Sequence, residues 1–134
     1  MFDHDLDGVV KKEDLVDYCE SRAKYLLKQE QMETFMDLMN NGWDYFWAGP
    51  KKKENVTFWD CVYNHARTFR EPAFQEEQRK WFYVYFDSVA DKNGHGYVTK
   101  KEYEEFLGIF GVHPLSVPPS FEALDIAGDG QISK

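Results

Sequence analysis

The sequence lacks long hydrophobic runs, an excess of basic residues and a cysteine framework. No run of roughly 18 apolar residues occurs, so no membrane-spanning helix is expected. The 134 residues include 16 basic and 24 acidic side chains, and the net charge of −8 argues against a nucleic-acid binder and against adhesion to anionic membranes. The two cysteines, Cys19 and Cys61, form no CxxC pair, which argues against zinc and implies no disulfide framework.

Signals for secretion and catalysis are missing as well. The first residues do not read as a signal peptide, so we expect a soluble, cytoplasmic protein with reduced thiols. No nucleophile elbow, phosphate-binding loop or zinc signature is present, and we therefore expect no enzymatic activity. A sizeable core is still feasible, because 43% of the residues are hydrophobic and 17% are aromatic. We expect a monomer with one domain, or two small lobes that share a core.

Hydrophobic periodicity predicts a helical protein. Apolar residues recur at helical spacing in five segments, and a sixth, short helix is expected with Ser120 as its N-cap. The predicted helices cover residues 13–28, 29–47, 58–69, 74–89, 100–110 and 120–124. No alternating strand of useful length separates them, so the predicted fold class is all-α, with helix pairs joined by loops rich in Asp and Gly.

Three of these loops share one pattern of residue types at fixed positions. The first loop covers residues 3–14, the third covers residues 91–102, and the fourth begins at residue 125. Each resembles the EF-hand calcium loop. In that loop, oxygens at positions 1, 3 and 5 point inward, and glycine at position 6 permits the turn. The carbonyl at position 7 coordinates the ion, and a carboxylate at position 12 binds it with both oxygens. The predicted metal ligands are Asp3, Asp5, Asp7, Val9 and Asp14 in the first loop, Asp91, Asn93, His95, Tyr97, Thr99 and Glu102 in the third, and Asp125, Asp129 and Gln131 in the fourth.

EF-hands usually occur in pairs, so three loops predict a fourth partner. When Val56 is aligned with the apolar position 8, a second loop covers residues 49–60, with lysines at positions 3 and 5 and no glycine at position 6. Lysines there would repel a cation, so we interpret this loop as a pairing loop that has lost metal. The position-8 residues then predict two short β bridges, one between Val10 and Val56 and one between Val98 and Ile132.

The order of the loops resembles a known family. Active first and third loops, a second loop without metal and long aromatic linking helices resemble the sarcoplasmic calcium-binding protein and calexcitin family, whose relatives include coelenterate luciferin-binding proteins and photoproteins. The resemblance implies two EF-hand pairs, residues 1–70 and 71–134, folded into one compact body. It implies a cytosolic Ca²⁺/Mg²⁺ buffer; a calcium sensor with a protein target and a luciferin-binding carrier are the alternatives.

Each metal-binding loop departs from the pattern at one position. Asp14 stands where Glu is usual, and its shorter side chain predicts a tighter, mixed Ca²⁺/Mg²⁺ site, with a weakened calcium site as the alternative. His95 offers nitrogen to a hard cation, so we expect it to turn outward and leave a water in its place. Ala127 removes an oxygen from the fourth loop, and the sequence stops at position 10 of that loop. Both ends stop inside EF-hand units, so we expect the chain to be a fragment of a longer protein.

The methionine stripe Met32, Met36 and Met39 allows two interpretations. In a sensor, calcium exposes such a stripe as a soft groove for a target. The same spacing is what a buried core helix requires, and 23 aromatic residues are available to pack around it. The core interpretation is favoured, and it predicts a compact buffer.

Overall fold

The structure is a computed structural model that describes residue 3 and residues 5–134, apart from the side chain of Glu77. Within this part of the chain, short strands alternate with helices. In chain order the elements are β1 (Val9–Lys11), α1 (Lys12–Ala23), α2 (Gln29–Gly42), β2 (Asn55–Thr57), α3 (Phe58–Thr68), α4 (Pro72–Tyr85), β3 (Tyr97–Thr99), α5 (Lys100–Ile109), α6 (Val117–Leu124) and β4 (Gln131–Ser133). The predicted all-α fold class is confirmed, and none of the described helices is long and apolar enough to cross a membrane.

Four further helical segments adjoin these elements. Two are π-helical and continue α2 and α4 towards the loops that follow them, and two are 3₁₀ turns. The π segments are Trp43–Ala48 and Phe86–Ala90, and the 3₁₀ turns are Gly49–Lys51 and Pro114–Ser116. Hydrophobic periodicity predicted the helices that enter the second and third loops but not their change of pitch.

The strands form two antiparallel pairs, and each pair joins two loops. β1 pairs with β2 so that Val10 lies opposite Val56. β3 pairs with β4 so that Val98 lies opposite Ile132. Both predicted bridges are confirmed in their predicted register. The loops are therefore held side by side in two pairs, first with second and third with fourth.

The start of α6 differs from the sequence prediction. The helix begins at Val117 with Ser116 as its N-cap, whereas Ser120 lies inside it. Pro118 and Pro119 belong to the first turn, where a residue without an N–H group loses no intrahelical hydrogen bond. The predicted start at Ser120 left both prolines outside the helix, although the first turn is a common place for proline. In addition, α1 ends at residue 23 rather than residue 28.

One hydrophobic core joins both halves of the chain. Core residues that are at most 5% exposed include Leu15, Cys19, Phe35, Met39, Val89 and Ile109. Met32 and Met36 are partly buried and pack against this core. The methionine stripe is therefore core, as favoured from the sequence. The predicted division between residues 70 and 71 stays a prediction.

Candidate metal sites

Three loops fold around their first aspartate in the same way. In each, the position-1 carboxylate accepts a hydrogen bond from the N–H group of the position-6 glycine. The distances are 3.1 Å for Gly8 to Asp3, 2.7 Å for Gly96 to Asp91 and 2.8 Å for Gly130 to Asp125. The three glycines have φ between +81° and +83°, which L side chains rarely adopt. The predicted need for glycine at position 6 is thus confirmed.

The first loop brings three carboxylates together. Oxygens of Asp3, Asp5 and Asp7 all lie within 4.8 Å of one another. The side chain of Asp3 has a second unfavourable feature: its Oδ1 atom is buried and has no hydrogen-bond partner among the described residues. Mutual repulsion and an unpaired buried oxygen are both unfavourable, and a cation among the carboxylates offsets both. All the donor atoms are oxygens, which suits a hard divalent ion.

The remaining first-loop candidates lie at the edge of this cluster. Asp14 is outside the group of mutually close carboxylates, and its Oδ2 accepts a hydrogen bond from the N–H of Lys11 at 3.2 Å. Val9 lies in β1, and its N–H donates to Oδ1 of Asp7 at 2.8 Å. The structure thus gathers three of the five predicted ligands, and Asp14 must turn from the start of α1 to join them.

The third loop is more buried and more strongly hydrogen-bonded. Asp91 is 4% exposed and Glu102 is 7% exposed. Glu102 Oε1 accepts from the Asn93 amide at 2.8 Å, while its Oε2 accepts from the Thr99 hydroxyl at 2.8 Å and from the Thr99 N–H at 3.0 Å. Positions 3, 9 and 12 are therefore joined in one network, which orders the oxygens before any ion is bound.

Burial and hydrogen bonding act in opposite directions on Asp91. Burial raises the pKa of this carboxyl group, but the backbone N–H groups of Gly96, His95, Gly94 and Asn93 lower it, and the net result is a pKa below the ordinary value. Asp91 is therefore ionised at neutral pH, as a cation ligand must be.

His95 and Tyr97 lie next to each other in the third loop. Their rings are tilted by 30°, with centroids 5.4 Å apart. The backbone N–H of His95 donates to Oδ1 of Asp91 at 3.1 Å, so its contribution to the loop is made through the main chain. Whether the imidazole leaves its ligand position to water stays a prediction.

The fourth loop presents two ordered carboxylates. Oδ1 of Asp125 accepts from the N–H of Asp129 at 3.1 Å, and Oδ1 of Asp129 accepts from the N–H of Gln131 at 3.1 Å. Gln131 lies in β4, opposite Thr99 of the third loop. Ala127 supplies no side-chain oxygen. The loop therefore keeps its shape with fewer ligands than the first loop has.

The second loop contains a positively charged side chain at a ligand position. The Lys53 ammonium at position 5 lies 2.5 Å from Oδ1 of Asp60 at position 12, and in a metal-binding loop both positions are ligands. The hydrogen bond from Lys53, with further bonds from the N–H and hydroxyl groups of Thr57, lowers the pKa of Asp60 to about 2. The ammonium thus takes the place of the metal ion. The sequence predicted a loop without metal, and the missed signal was the pairing of Lys at position 5 with Asp at position 12.

An apolar cavity between the two halves of the chain was also missed. Its volume is about 350 Å³, which lies within the range of small-molecule sites. Its aromatic lining includes Trp43, Phe46, Trp47, Trp81, Phe82 and Tyr85. The polar side chains His65 and Gln78 also reach it. The density of aromatic residues in the sequence was the available signal, but spacing alone does not tell a lined cavity from a filled core.

The comparisons with known proteins rest on structure. No protein-family model matches the sequence, and no characterised protein matches it by sequence. A calcium-binding protein of Streptomyces coelicolor matches with a TM-score of 0.71 at 22% identity, over 99% of this chain and 84% of that chain. The ctenophore photoprotein berovin of Beroe abyssicola, in its Ca²⁺-loaded apoprotein state, gives 0.75 at 23%, over 98% and 75%. Calcium-loaded apo-aequorin of Aequorea victoria gives 0.72 at 17%, over 98% and 77%.

These likenesses show the fold. It is the paired EF-hand fold, in two lobes packed as one body, of the calcium-binding and photoprotein group that the loop pattern resembles. At these identities the likeness extends to the fold alone, and the ligands of this chain must be argued from its own residues.

Replacing Lys53 by Met is expected to raise the pKa of Asp60 from about 2 towards its ordinary value of 3.8, because the ammonium that stabilises the carboxylate is removed. Since the folded-state pKa is the lower one, the pair stabilises the native chain above about pH 4, and this contribution is lost as the pH falls towards 2. Carboxyl ¹³C shifts of Asp60 measure the midpoint directly. Lys52→Met is the control, because that ammonium is exposed and lies 4.0 Å from Asp44 instead. An unchanged Asp60 midpoint in Lys53→Met would contradict the assignment.

Proposed function

We propose that this protein binds calcium ions through its first and third loops, with Mg²⁺ competing at the first. The observation that carries the proposal is the cluster of Asp3, Asp5 and Asp7, whose oxygens lie within 4.8 Å of one another, together with the buried, unpaired oxygen of Asp3. The neighbouring folds support it, since berovin is described both Ca²⁺-loaded and with magnesium ions in all three of its Ca²⁺-binding loops.

The ligands follow from the positions in each loop. The first ion is bound by Asp3, Asp5, Asp7, the Val9 carbonyl and Asp14. The second is bound by Asp91, Asn93, Thr99, Glu102 and the Tyr97 carbonyl, with water at the place of His95. The fourth loop offers Asp125, Asp129 and Gln131 and binds most weakly. Four carboxylates in the first loop against two in the third make the first loop the tighter site, because affinity rises with the charge of the ligands.

A buffer role fits this chain better than a sensor role. A sensor uncovers an apolar groove when calcium binds. Here the methionine stripe packs in or against the core that both halves of the chain share, so uncovering it would have to open that shared core. The proposed function is therefore a cytosolic Ca²⁺/Mg²⁺ buffer that binds ions rather than transforms a substrate.

The primary test is calcium titration by calorimetry, with and without millimolar Mg²⁺. Asp3→Asn is expected to weaken binding at the tighter site by about tenfold or more, since a charged ligand is lost from the loop. Mg²⁺ is expected to displace calcium from that same site. The matched control is Asp37→Asn, which removes an exposed carboxylate from α2. An Asp3→Asn isotherm that matches the wild type, or a native chain that binds no calcium, would refute the proposal.

A second titration addresses the third loop. His95→Asp is expected to tighten calcium binding at the weaker site by about tenfold, because it adds a third carboxylate and replaces nitrogen with oxygen. His113→Asp, which places the same change outside the loops, serves as the control. Equal dissociation constants for His95→Asp and the wild type would show that position 5 takes no part in binding.

The cavity favours a second candidate function, that of a carrier for an apolar aromatic ligand. Eight Phe, Trp and Tyr side chains line a space of about 350 Å³, and polar groups are few. Burial raises the pKa of Tyr85, whose hydroxyl stays neutral and lies 3.7 Å from the sulfur of Met39. This arrangement suits a luciferin-like ligand held by stacking and one or two hydrogen bonds.

The carrier function is tested by filling the cavity. Gln78 lines it from α4, so Gln78→Trp is expected to weaken binding of 1-anilinonaphthalene-8-sulfonate, an anionic dye with an apolar aromatic part, by about tenfold. Gln75→Trp places the same side chain on the exposed face of that helix and is expected to leave binding unchanged. Fluorescence titration with and without calcium measures both variants. Equal dye binding by the two would show that the cavity is not the site.

A further inference from the structure

A depression on the surface contains two basic side chains that neither the ion sites nor the apolar cavity uses. Its volume is about 460 Å³, which lies within the range of small-molecule sites. The residues that line it lie between residues 41 and 81, in α2 with its π extension, the second loop, α3 and α4. They include Asp44, Tyr45, Pro50, Lys52, Arg67 and Trp81. We call this region the Arg67 depression.

The guanidinium of Arg67 is hydrogen-bonded on one side and lacks a partner on another. Its Nη1 donates to Oε1 of Glu71 at 3.0 Å, whereas its Nε is buried and has no hydrogen-bond partner among the described residues. In a planar guanidinium, Nη1 lies away from the edge that Nε and Nη2 form. The bond to Glu71 therefore leaves this edge to another acceptor. A buried donor without a partner is unfavourable, and an oxygen bound at this edge removes the penalty.

Glu71 links the guanidinium to an aromatic wall of the depression. Its Oε2 accepts a hydrogen bond from the Tyr45 hydroxyl at 3.4 Å, so the carboxylate joins Tyr45 to Arg67. The Tyr45 ring is stacked on Phe74, with ring planes 4° apart and centroids separated by 6.1 Å. The Trp81 ring lies 6.2 Å from that of Tyr45. The basic group and the two lining rings are thus held in place before a ligand binds, which reduces the entropy lost on binding.

Lys52 supplies a second positive charge to the depression. Its side chain is 79% exposed, and its ammonium lies 4.0 Å from Oδ2 of Asp44, whose side chain is 41% exposed. An exposed ion pair at this distance contributes little to stability, so Lys52 can exchange Asp44 for another anion. In the unbound chain Asp44 and Glu71 balance the two basic side chains. A bound anion then takes the place of Asp44 at Lys52.

The size and the lining of the depression indicate the class of ligand. A bare phosphate ion fills only a small part of about 460 Å³, so the ligand has a further body. Tyr45 and Trp81 offer that body aromatic surface, against which another ring packs favourably. A guanidinium edge binds a phosphate through two parallel hydrogen bonds, and an ammonium binds it as a point charge. A doubly charged group matches two basic side chains better than a singly charged one.

We propose that the Arg67 depression binds a small phosphate monoester that carries an aromatic ring. The phosphate accepts hydrogen bonds from Nε and Nη2 of Arg67 and draws the ammonium of Lys52 away from Asp44. The guanidinium turns slightly about its existing ion pair, which brings the shielded Nε to the bound oxygen. The ring of the ligand packs against Tyr45 and Trp81. The site is independent of the ion sites, because none of its described lining residues is a proposed metal ligand.

The test is a titration of the full 134-residue chain with phenyl phosphate in buffer without divalent ions. In ¹H–¹⁵N spectra the Arg67 Nε–H signal, which is assigned by its loss in Arg67→Lys, is expected to shift saturably. Calorimetry is expected to show that Arg67→Lys weakens binding by about tenfold or more, because an ammonium cannot form the two parallel hydrogen bonds. Arg70→Lys is the matched control, since Arg70 is exposed and is not among the described lining residues.

Two further variants test the charges at exposed positions, where a substitution leaves the core intact. Lys52→Met is expected to weaken binding of phenyl phosphate by about fivefold, because one of the two positive charges is lost. Asp44→Asn is expected to strengthen it by about threefold, because a competing carboxylate is removed. Both differences are expected to decrease at high salt as screening increases. Affinities equal to that of the native chain in both variants would overturn the choice of a doubly charged ligand.

Simpler probes separate the phosphate from the ring. Inorganic phosphate is expected to shift the Arg67 Nε–H signal but to bind about tenfold more weakly than phenyl phosphate, and phenol is expected to leave the signal unchanged. Benzoate, with one charge, is expected to bind more weakly than phenyl phosphate. Equal affinities for inorganic phosphate and phenyl phosphate would overturn the aromatic part of the proposal. An Arg67 signal that none of these anions shifts, or equal binding by Arg67→Lys and the native chain, would overturn the site itself.

Discussion

Carboxylates that a folded loop holds close together need a positive charge among them, and the two loops of the first pair meet this need in different ways. In the second loop the positive charge belongs to the chain itself, because the Lys53 ammonium forms an ion pair with the Asp60 carboxylate. In the first loop Asp3, Asp5 and Asp7 converge, and one oxygen of Asp3 is buried without a partner among the residues that the structure describes. The same electrostatic constraint is thus met within the second loop, and we propose that the first loop meets it with an external cation.

Because the two loops are paired, this difference gives each of them a separate role. The Val10–Val56 bridge couples the first loop to a neighbour whose ion pair is present at every calcium concentration. The second loop can therefore hold β1 in register with β2 before an ion binds to the first loop. Less of the first loop then has to become ordered when the ion binds. In the second pair, the hydrogen bonds around Glu102 order the third loop in a comparable way before binding. Loops whose strands and hydrogen bonds are already formed suit the proposed buffer, because little binding free energy is spent on rearrangement beyond the turn that Asp14 must make.

The features that could be predicted from the sequence are those encoded within a few residues of one another. The glycine turns at Gly8, Gly96 and Gly130 and the strand register at Val10 and Val98 follow from loop positions, and the structure has them as predicted. The features that were missed depend on which elements meet in space. The start of α6 at Val117 was obscured by prolines that allow both a loop and a helix start. The exposure of Phe58, Trp59 and Tyr63 on α3 could not be predicted, because periodicity identifies a hydrophobic face without showing what covers it.

The cavity and the exposed aromatic residues of α3 are two features of the same packing arrangement. Because α3 turns Asn64 and Thr68 towards the protein, its aromatic residues are left outside, and the space between α2 and α4 is filled only in part. Phe69 belongs to both regions, since it lines the cavity and is also 61% exposed. The proposed ion sites are made of loop residues, whereas the cavity is lined by side chains of the helices and their π-helical extensions, so we expect that mutation can change the two properties independently.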